Sequence, residues 1–325
     1  MRADPQAPHP ARPGMPLLGL LALGLTVLVW AGFFLSLRLG AKTALPPLEI
    51  ALFRFLPAGL CFLPVLWRRW RQIVAVPWPL LLMMVCGAGL PYFLVAGMGM
   101  RHAPVADGST LVPGTLPLSV SLLALLFLHQ PVAPGRRTGL ALIGAGVALM
   151  LLFSLSHPQP GLGQGYALFL LGSLLWAGFT LALRRSGLGA LEGAAVLTYG
   201  SLPPLLLALA LRATPLRLPE LPTTELALQF VLQGLGVGIV STLSYAYAVA
   251  RLGSDRAAIA GALTPVAASL LAVPLLGEMP PLTSLLGMTV IVAGVLLANR
   301  AAHPRTQPPN PPPAPPGQSA ERTRQ

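Results

Sequence analysis

Two apolar runs, residues 257–276 and 282–298, flank the five-residue turn Gly277-Glu278-Met279-Pro280-Pro281. Each run is about 20 residues long, the length an α-helix rising about 1.5 Å per residue needs to cross a hydrocarbon core of about 30 Å. Backbone amides find no water there, so a crossing segment has to satisfy them internally as a helix. The pair is predicted to be a membrane hairpin, and its pattern occurs twice. A shift of 148 residues lays Asp107 on Asp255, Pro117 on Pro265, Gln130 on Glu278, Gly139 on Gly287 and Ala145-Gly146-Val147 on Ala293-Gly294-Val295. At 146, Trp30-Ala31-Gly32-Phe33 falls on Trp176-Ala177-Gly178-Phe179 and Arg38 on Arg184; at 149, Gly87 and Gly89 fall on Gly236 and Gly238. Matches that include Trp, Asp and Pro do not arise from apolar bias alone. The chain reads as two copies of a unit of roughly 140 residues.

Only 9% of the residues are charged, against about 25% in a soluble domain. With a mean hydropathy of +0.73, the solvent for most of this chain is lipid. Ten apolar spans are predicted: 17–37, 47–66, 78–99, 106–128 and 138–155 in the first copy, and 163–183, 193–211, 226–250, 255–276 and 282–298 in the second. The repeats are bounded as 17–155 and 163–300, with a linker at 156–162. Residues 1–16 and the Pro-rich 301–325 lack the apolar content for a core and are expected to be disordered tails. The first span is too long for the apolar region of a secretory signal and has no cleavage pattern, so it is read as a retained helix.

An odd number of helices per copy makes the second copy enter from the opposite face. The fold class expected is thus all-α, ten transmembrane helices in two inverted five-helix repeats. The net charge of +12 raises the question of nucleic acid. The basic residues lie singly or in pairs beside apolar runs, however, and flank membrane helices rather than forming a solvated face. With both termini cytoplasmic, Arg38, Lys42, Arg101, Arg212 and Arg217 fall outside, Arg54 lies within a span, and every other basic residue falls inside. That bias obeys the positive-inside rule.

Trp-Ala-Gly-Phe in the first helix of each copy, Pro46-Pro47-Leu48 with Arg54-Phe55, and Leu263-Thr264-Pro265-Val266 with Leu276-Gly277-Glu278, Gly287 and Ala293-Gly294-Val295 resemble the EamA family of the drug/metabolite transporter superfamily. The resemblance spans about residues 17–300. It implies a bacterial inner-membrane secondary transporter with a central cavity and alternating access, exporting a small metabolite such as an amino acid. Two departures stand out. His129-Gln130 replaces the Gly-Glu of the first copy, and Leu197-Thr198-Tyr199 stands in the second copy where the first has Phe53-Arg54-Phe55. Arg54 is therefore unmatched.

An arginine within an apolar span is costly unless paired or hydrated. Arg54 either snorkels outward and pairs with Glu49, or faces the cavity, where it would favour a carboxylate. Trp30 and Trp176 are read as interfacial anchors or as cavity lining beside Ala-Gly, where helices approach closely. Tyr92, Tyr245 and Tyr247 add hydroxyls for the cavity. Gln233 shares a helix face with Gln229 and serves interhelical hydrogen bonding or the substrate. Pro117 and Pro265 remove backbone hydrogen bonds at matched depths and are candidate hinges. Asp107 and Asp255 are helix caps or coupling carboxylates.

Cys61 and Cys86 lie in apolar runs without ligand spacing and read as buried small hydrophobes. The chain has no Gly-rich loop before Lys-Ser or Lys-Thr and no clustered metal ligands or paired acids, so neither an enzyme nor an ATP-driven pump is expected. No cofactor or metal is anticipated. The partners expected are a small-molecule substrate and the lipid bilayer, not nucleic acid; proton or ion coupling and a homodimer stay open. A lipid or polyprenyl-carrier flippase and a membrane-embedded enzyme are the competing readings. The first needs a cavity open sideways to lipid, the second clustered acids or histidines at one face.

Overall fold

The computed structural model describes residues 16–300 apart from 157–158, 254–256 and 258. Residues 1–15 and 301–325 of the tails, 157–158 of the linker and Asp255 therefore lie outside the described residues. The described chain is helical throughout: α1 (Pro16–Lys42), α2 (Pro47–Val74), α3 (Trp78–Ala88), α4 (Leu90–His102), α5 (Val105–Gly114), α6 (Leu116–Leu128), α7 (Pro134–Ser156), α8 (Leu162–Ser186), α9 (Ala190–Ala210), a 3-10 turn (Leu218–Glu220), α10 (Thr223–Gln229), a π-helical segment (Phe230–Val240), α11 (Ser241–Leu252), α12 (Ile259–Leu276) and α13 (Leu282–Arg300). Among the described residues, nine stretches are long and apolar enough to cross a membrane, and Ala260–Leu276 is a shorter apolar helix.

Three predicted spans are not single α-helices. The third is split at Gly89 into α3 and α4, and the fourth at Thr115 into α5 and α6. Pro91 and Pro117 sit in the first turn of the second piece, where a missing N–H costs nothing. The freed Leu90 N–H donates to the Ser201 hydroxyl of α9 at 2.9 Å. The eighth span runs α, π, α across residues 223–252. Two of its π-segment glycines lie against the α2 backbone: a Cβ at Gly234 would meet the Phe53 carbonyl at 2.9 Å, and one at Gly238 the Arg54 carbonyl at 3.1 Å. Pro265 differs from its counterpart Pro117, since α12 continues unbroken through it. The matched prolines thus do not make matched breaks.

Each half packs against the other. α7 lies along α13, α2 along α9, α5 against α12, α3 and α4 on α8, and α1 on α12, α11 and the π segment. α7 and α13 approach closely: a Cβ on Gly139 would run into the Ala298 amide nitrogen, and one on Gly294 would fall 2.7 Å from the Gly139 carbonyl. The main buried cluster draws on both halves, from Phe34, Phe55 and Phe93 to Phe169, Ala268 and Ile291. Outside it, Leu60, Phe127, Leu155 and Leu270 are exposed on all sides, as lipid contact requires. Cys61 is exposed among them and Cys86 half-buried, so neither fills the core as expected.

The two ends of the bundle differ. Glu278, Arg38, Lys42 and the start of α5 meet at one end. At the other, α2 continues past residue 66 to Val74, carrying Arg68, Arg69 and Arg71 beside the exposed Trp67 and Trp70. Arg69 pairs there with Glu192 at the start of α9 (3.5 Å).

Candidate functional site

Four of the aromatic residues singled out by the repeat meet between the halves. Trp30 of α1 packs edge-to-face on Trp176 of α8, ring centroids 5.8 Å apart, and against Tyr245 of α11 at 5.3 Å. Tyr92 of α4 contacts Trp176 at 5.9 Å and lies parallel to Phe33 at 6.1 Å. The two equivalent tryptophans are thus in mutual contact, and both side chains are half-buried. Tyr247 stands apart from this group: the Arg251 guanidinium lies over its ring at 5.2 Å.

Arg54 lies on α2 beside Phe55, whose ring packs on Phe93 and through it on Phe33. Its Nη1 is buried and has no hydrogen-bond partner among the described residues, and its Cζ is 5.9 Å from the Phe55 ring. Glu49 does not neutralise it, contrary to the snorkelling expectation. That carboxylate instead accepts from the backbone N–H groups of Arg217 (2.9 Å) and Leu218 (3.0 Å) and pairs with Arg212 at 3.7 Å. Arg54 lines a small cavity of about 20 Å³ together with Phe55, Ala58, Thr198, Gly238 and Thr242. Thr198 is its counterpart in the second copy, so the unmatched pair faces one space, with a cation on one wall and a hydroxyl on the other.

Gln233 is held away from this space. Its Nε2 donates to the Ser36 hydroxyl (2.9 Å) and the Phe33 carbonyl (3.4 Å) of α1, while its Oε1 is buried without a partner. Gln229 joins the same net, accepting from Ser36 Oγ at 2.6 Å and donating to the Ser36 carbonyl at 3.1 Å. A further bond, between Thr26 and Ser244 at 2.8 Å, pins α1 to α11. Together these bonds hold Trp30 against Tyr245.

A second polar group, at the Glu278 end, was only partly legible. Glu278 accepts from Arg38 Nε at 2.6 Å and from the Val105 N–H at 3.2 Å, capping α5, and pairs with Lys42 at 3.2 Å. Burial pushes its carboxyl up, but the bonds from Arg38, Val105 and Lys42 outweigh this and hold it below the usual glutamate value. Asp107 is buried beside it and accepts from the hydroxyls of Tyr166 (2.9 Å) and Ser284. Neither Tyr166 nor Ser284 carries a signal in the sequence. Their meeting with Asp107 spans 59 and 177 positions.

A guanidinium with a buried Nη1 facing a hydroxyl across a cavity with room for about one water is a group that an anion could partner if that space widened. The profile of the EamA-like transporter family matches residues 17–152 and again 163–300. The chain belongs to this family. It is similar to "Uncharacterized inner membrane transporter YedA" of Escherichia coli (strain K12), 28% identical over 290 residues, 87% of this chain and 90% of that one. An "Uncharacterized transporter" of Archaeoglobus fulgidus is 25% identical over 295 residues, 87% and 98% of the two chains. "Inner membrane protein YtfF" of Escherichia coli (strain K12) matches more locally, 29% over 181 residues, 51% and 55%. A protein crystal structure shares the fold at a TM-score of 0.56 and 20% identity, covering 86% of this chain and 96% of that one. Family and relatives make this a membrane transporter.

Proposed function

We propose that this chain is a secondary transporter of a bacterial inner membrane, exporting a small carboxylate-bearing metabolite such as an amino acid by alternating access. In this reading the chain crosses ten times in two inverted five-helix repeats, and one half rocks against the other. The pairing of α2 with α9, α5 with α12 and α7 with α13 fits a twofold relation between the halves. Both termini are cytoplasmic in this reading, because the arginine-bearing ends of α2, α8, α11 and α13 carry more positive charge than the Glu278 end. Export is the direction the family resemblance implies.

The observation that carries the reading is Arg54, whose buried Nη1 has no hydrogen-bond partner among the described residues, at a small cavity shared with Thr198. Membrane-embedded charge left without a partner is most readily explained by a ligand that supplies one. The substrate carboxylate is assigned to Arg54, and its apolar part to Trp30, Trp176, Tyr92 and Tyr245. Cells expressing the wild type, Arg54→Ala or Arg54→Lys, challenged with amino acids and toxic analogues, test this by intracellular accumulation. Wild type lowers the level of at least one carboxylate, Arg54→Ala does not, and Arg54→Lys keeps part of the effect. Equal export by wild type and Arg54→Ala, with equal protein in the membrane, removes the assignment.

A further inference from the structure

Asp107 sits in the first turn of α5 and is 1% exposed. Its two oxygens take separate hydroxyl donors from separate helices, Tyr166 of α8 and Ser284 of α13. No cation among the described residues touches it. Arg38 spends Nε on Glu278 and Nη1 on the Met100 carbonyl (2.7 Å), and Lys42 donates to the Leu276 carbonyl (2.7 Å). Other elements packed against α5 bring little more charge. α12 and α6 have no titratable side chain in their described lengths, the one charge of α13 is Arg300 at its far end, and α8 carries Arg184 and Arg185 at its far end. α4 adds Tyr92, Arg101, which is exposed, and His102, which lies against Gly161. The charges facing Asp107 are thus Glu278 and Arg38.

Hydroxyls differ from ammonium or guanidinium partners in one decisive way. Each both donates and accepts, so the same pair can bond a carboxylate or, after one rotates, the neutral acid. Thr110, one turn further along α5, keeps a buried hydroxyl with no partner among the described residues, a spare site for such a rearrangement.

We propose that Asp107, Tyr166 and Ser284 form a proton-binding site coupled to opening of the Glu278 end. Ionised, Asp107 is a buried charge with no cation in contact, and opening of that end, which hydrates it, relieves the desolvation. A proton taken from water onto the carboxylate gives the neutral acid, which keeps hydrogen bonds with Tyr166 and Ser284 without that cost. Acid on that side then favours the closed form. The coupling to transport rests on the transporter reading above; the proton site itself rests only on these contacts.

The test uses the full chain in lipid nanodiscs, with Cys61 and Cys86 replaced by serine and spin labels at Met279→Cys and Gln164→Cys, both exposed. Label distances and pH-difference infrared spectra are recorded from mildly acidic to alkaline buffer, at low and high sodium, for wild type and Asp107→Asn. In wild type, acidification shortens the distance and brings up a carboxylic C=O band. Asp107→Asn loses the band and stays in the short-distance form at every pH, and Tyr166→Phe, a milder change, shifts the titration. A wild-type distance that ignores pH, an Asp107→Asn protein that titrates like wild type, or a response that follows sodium overturns the proposal. None of these readings needs a substrate, so failure of the export experiment and failure of the proton site are separate results.

Discussion

Replacing Arg54 with methionine should stabilise the protein while abolishing transport. Methionine keeps most of the length and apolar stem of arginine but removes the charge. The gain is relief of a buried, unpaired Nη1, about 1–3 kcal/mol for an unsatisfied donor and more for a charged one. Two effects reduce it. The contact with the Phe55 ring at 5.9 Å is lost, about 0.5–1 kcal/mol, and the adjoining cavity has room for about one water, which would already satisfy part of the group. The balance is a stabilisation of about 1–2 kcal/mol, in line with the outcome of replacing other buried charges by apolar side chains. Reversible unfolding by SDS in mixed micelles, with transport measured on the same preparation, checks both halves. A loss of stability comparable to a core truncation would show that Arg54 has a structural partner and would refute the reasoning.

Other substitutions have the opposite sign. Glu278→Gln removes the charge that Arg38 and Lys42 share and should cost about 2 kcal/mol, read by the same unfolding assay and coupled to Arg38 in a double-mutant cycle. Because Glu278 titrates below its ordinary value of 4.5, its contribution is complete above that pH and is lost as pH falls through the lower folded value. The difference between wild type and Glu278→Gln should therefore shrink only in strong acid. Ser201→Ala strands the Leu90 N–H at the α3–α4 break and should cost about 1–3 kcal/mol, with faster hydrogen exchange at that amide. Gly294→Ala drives a methyl into the Gly139 carbonyl and the Ile143 amide, and forcing α7 from α13 should cost about 1–3 kcal/mol in the unfolding assay.

Trp30 and Trp176 show how far the repeat could be followed into space. They are 146 positions apart, yet their equivalence in the sequence anticipated two like positions, and the fold brings the rings together. The break at Gly89 was foreshadowed by Gly89-Leu90-Pro91, because glycine and a missing N–H weaken the ladder locally. The π segment was not. Its register depends on Gly234 and Gly238 settling on the α2 backbone, a long-range contact with no local signal. Glu49 misled for a similar reason. Proximity along α2 suggested Arg54, whereas amides at 217–218 and Arg212 hold the carboxylate. Prolines 117 and 265 match in sequence but not in effect, since Pro113 and Thr115 lie before the first. The Asp107 group was invisible beyond the acid itself, as serine and tyrosine in apolar helices are too common to flag.

Binding to the purified protein tests the central assignment most directly. Thermal stabilisation in detergent is measured for amino acids and for matched amines that lack only the carboxyl group, against wild type and Arg54→Ala. The account predicts that at least one acid stabilises wild type, that its matched amine does not, and that Arg54→Ala responds to neither. Equal stabilisation of both proteins by the same acid, or equal response to acid and amine, would contradict it.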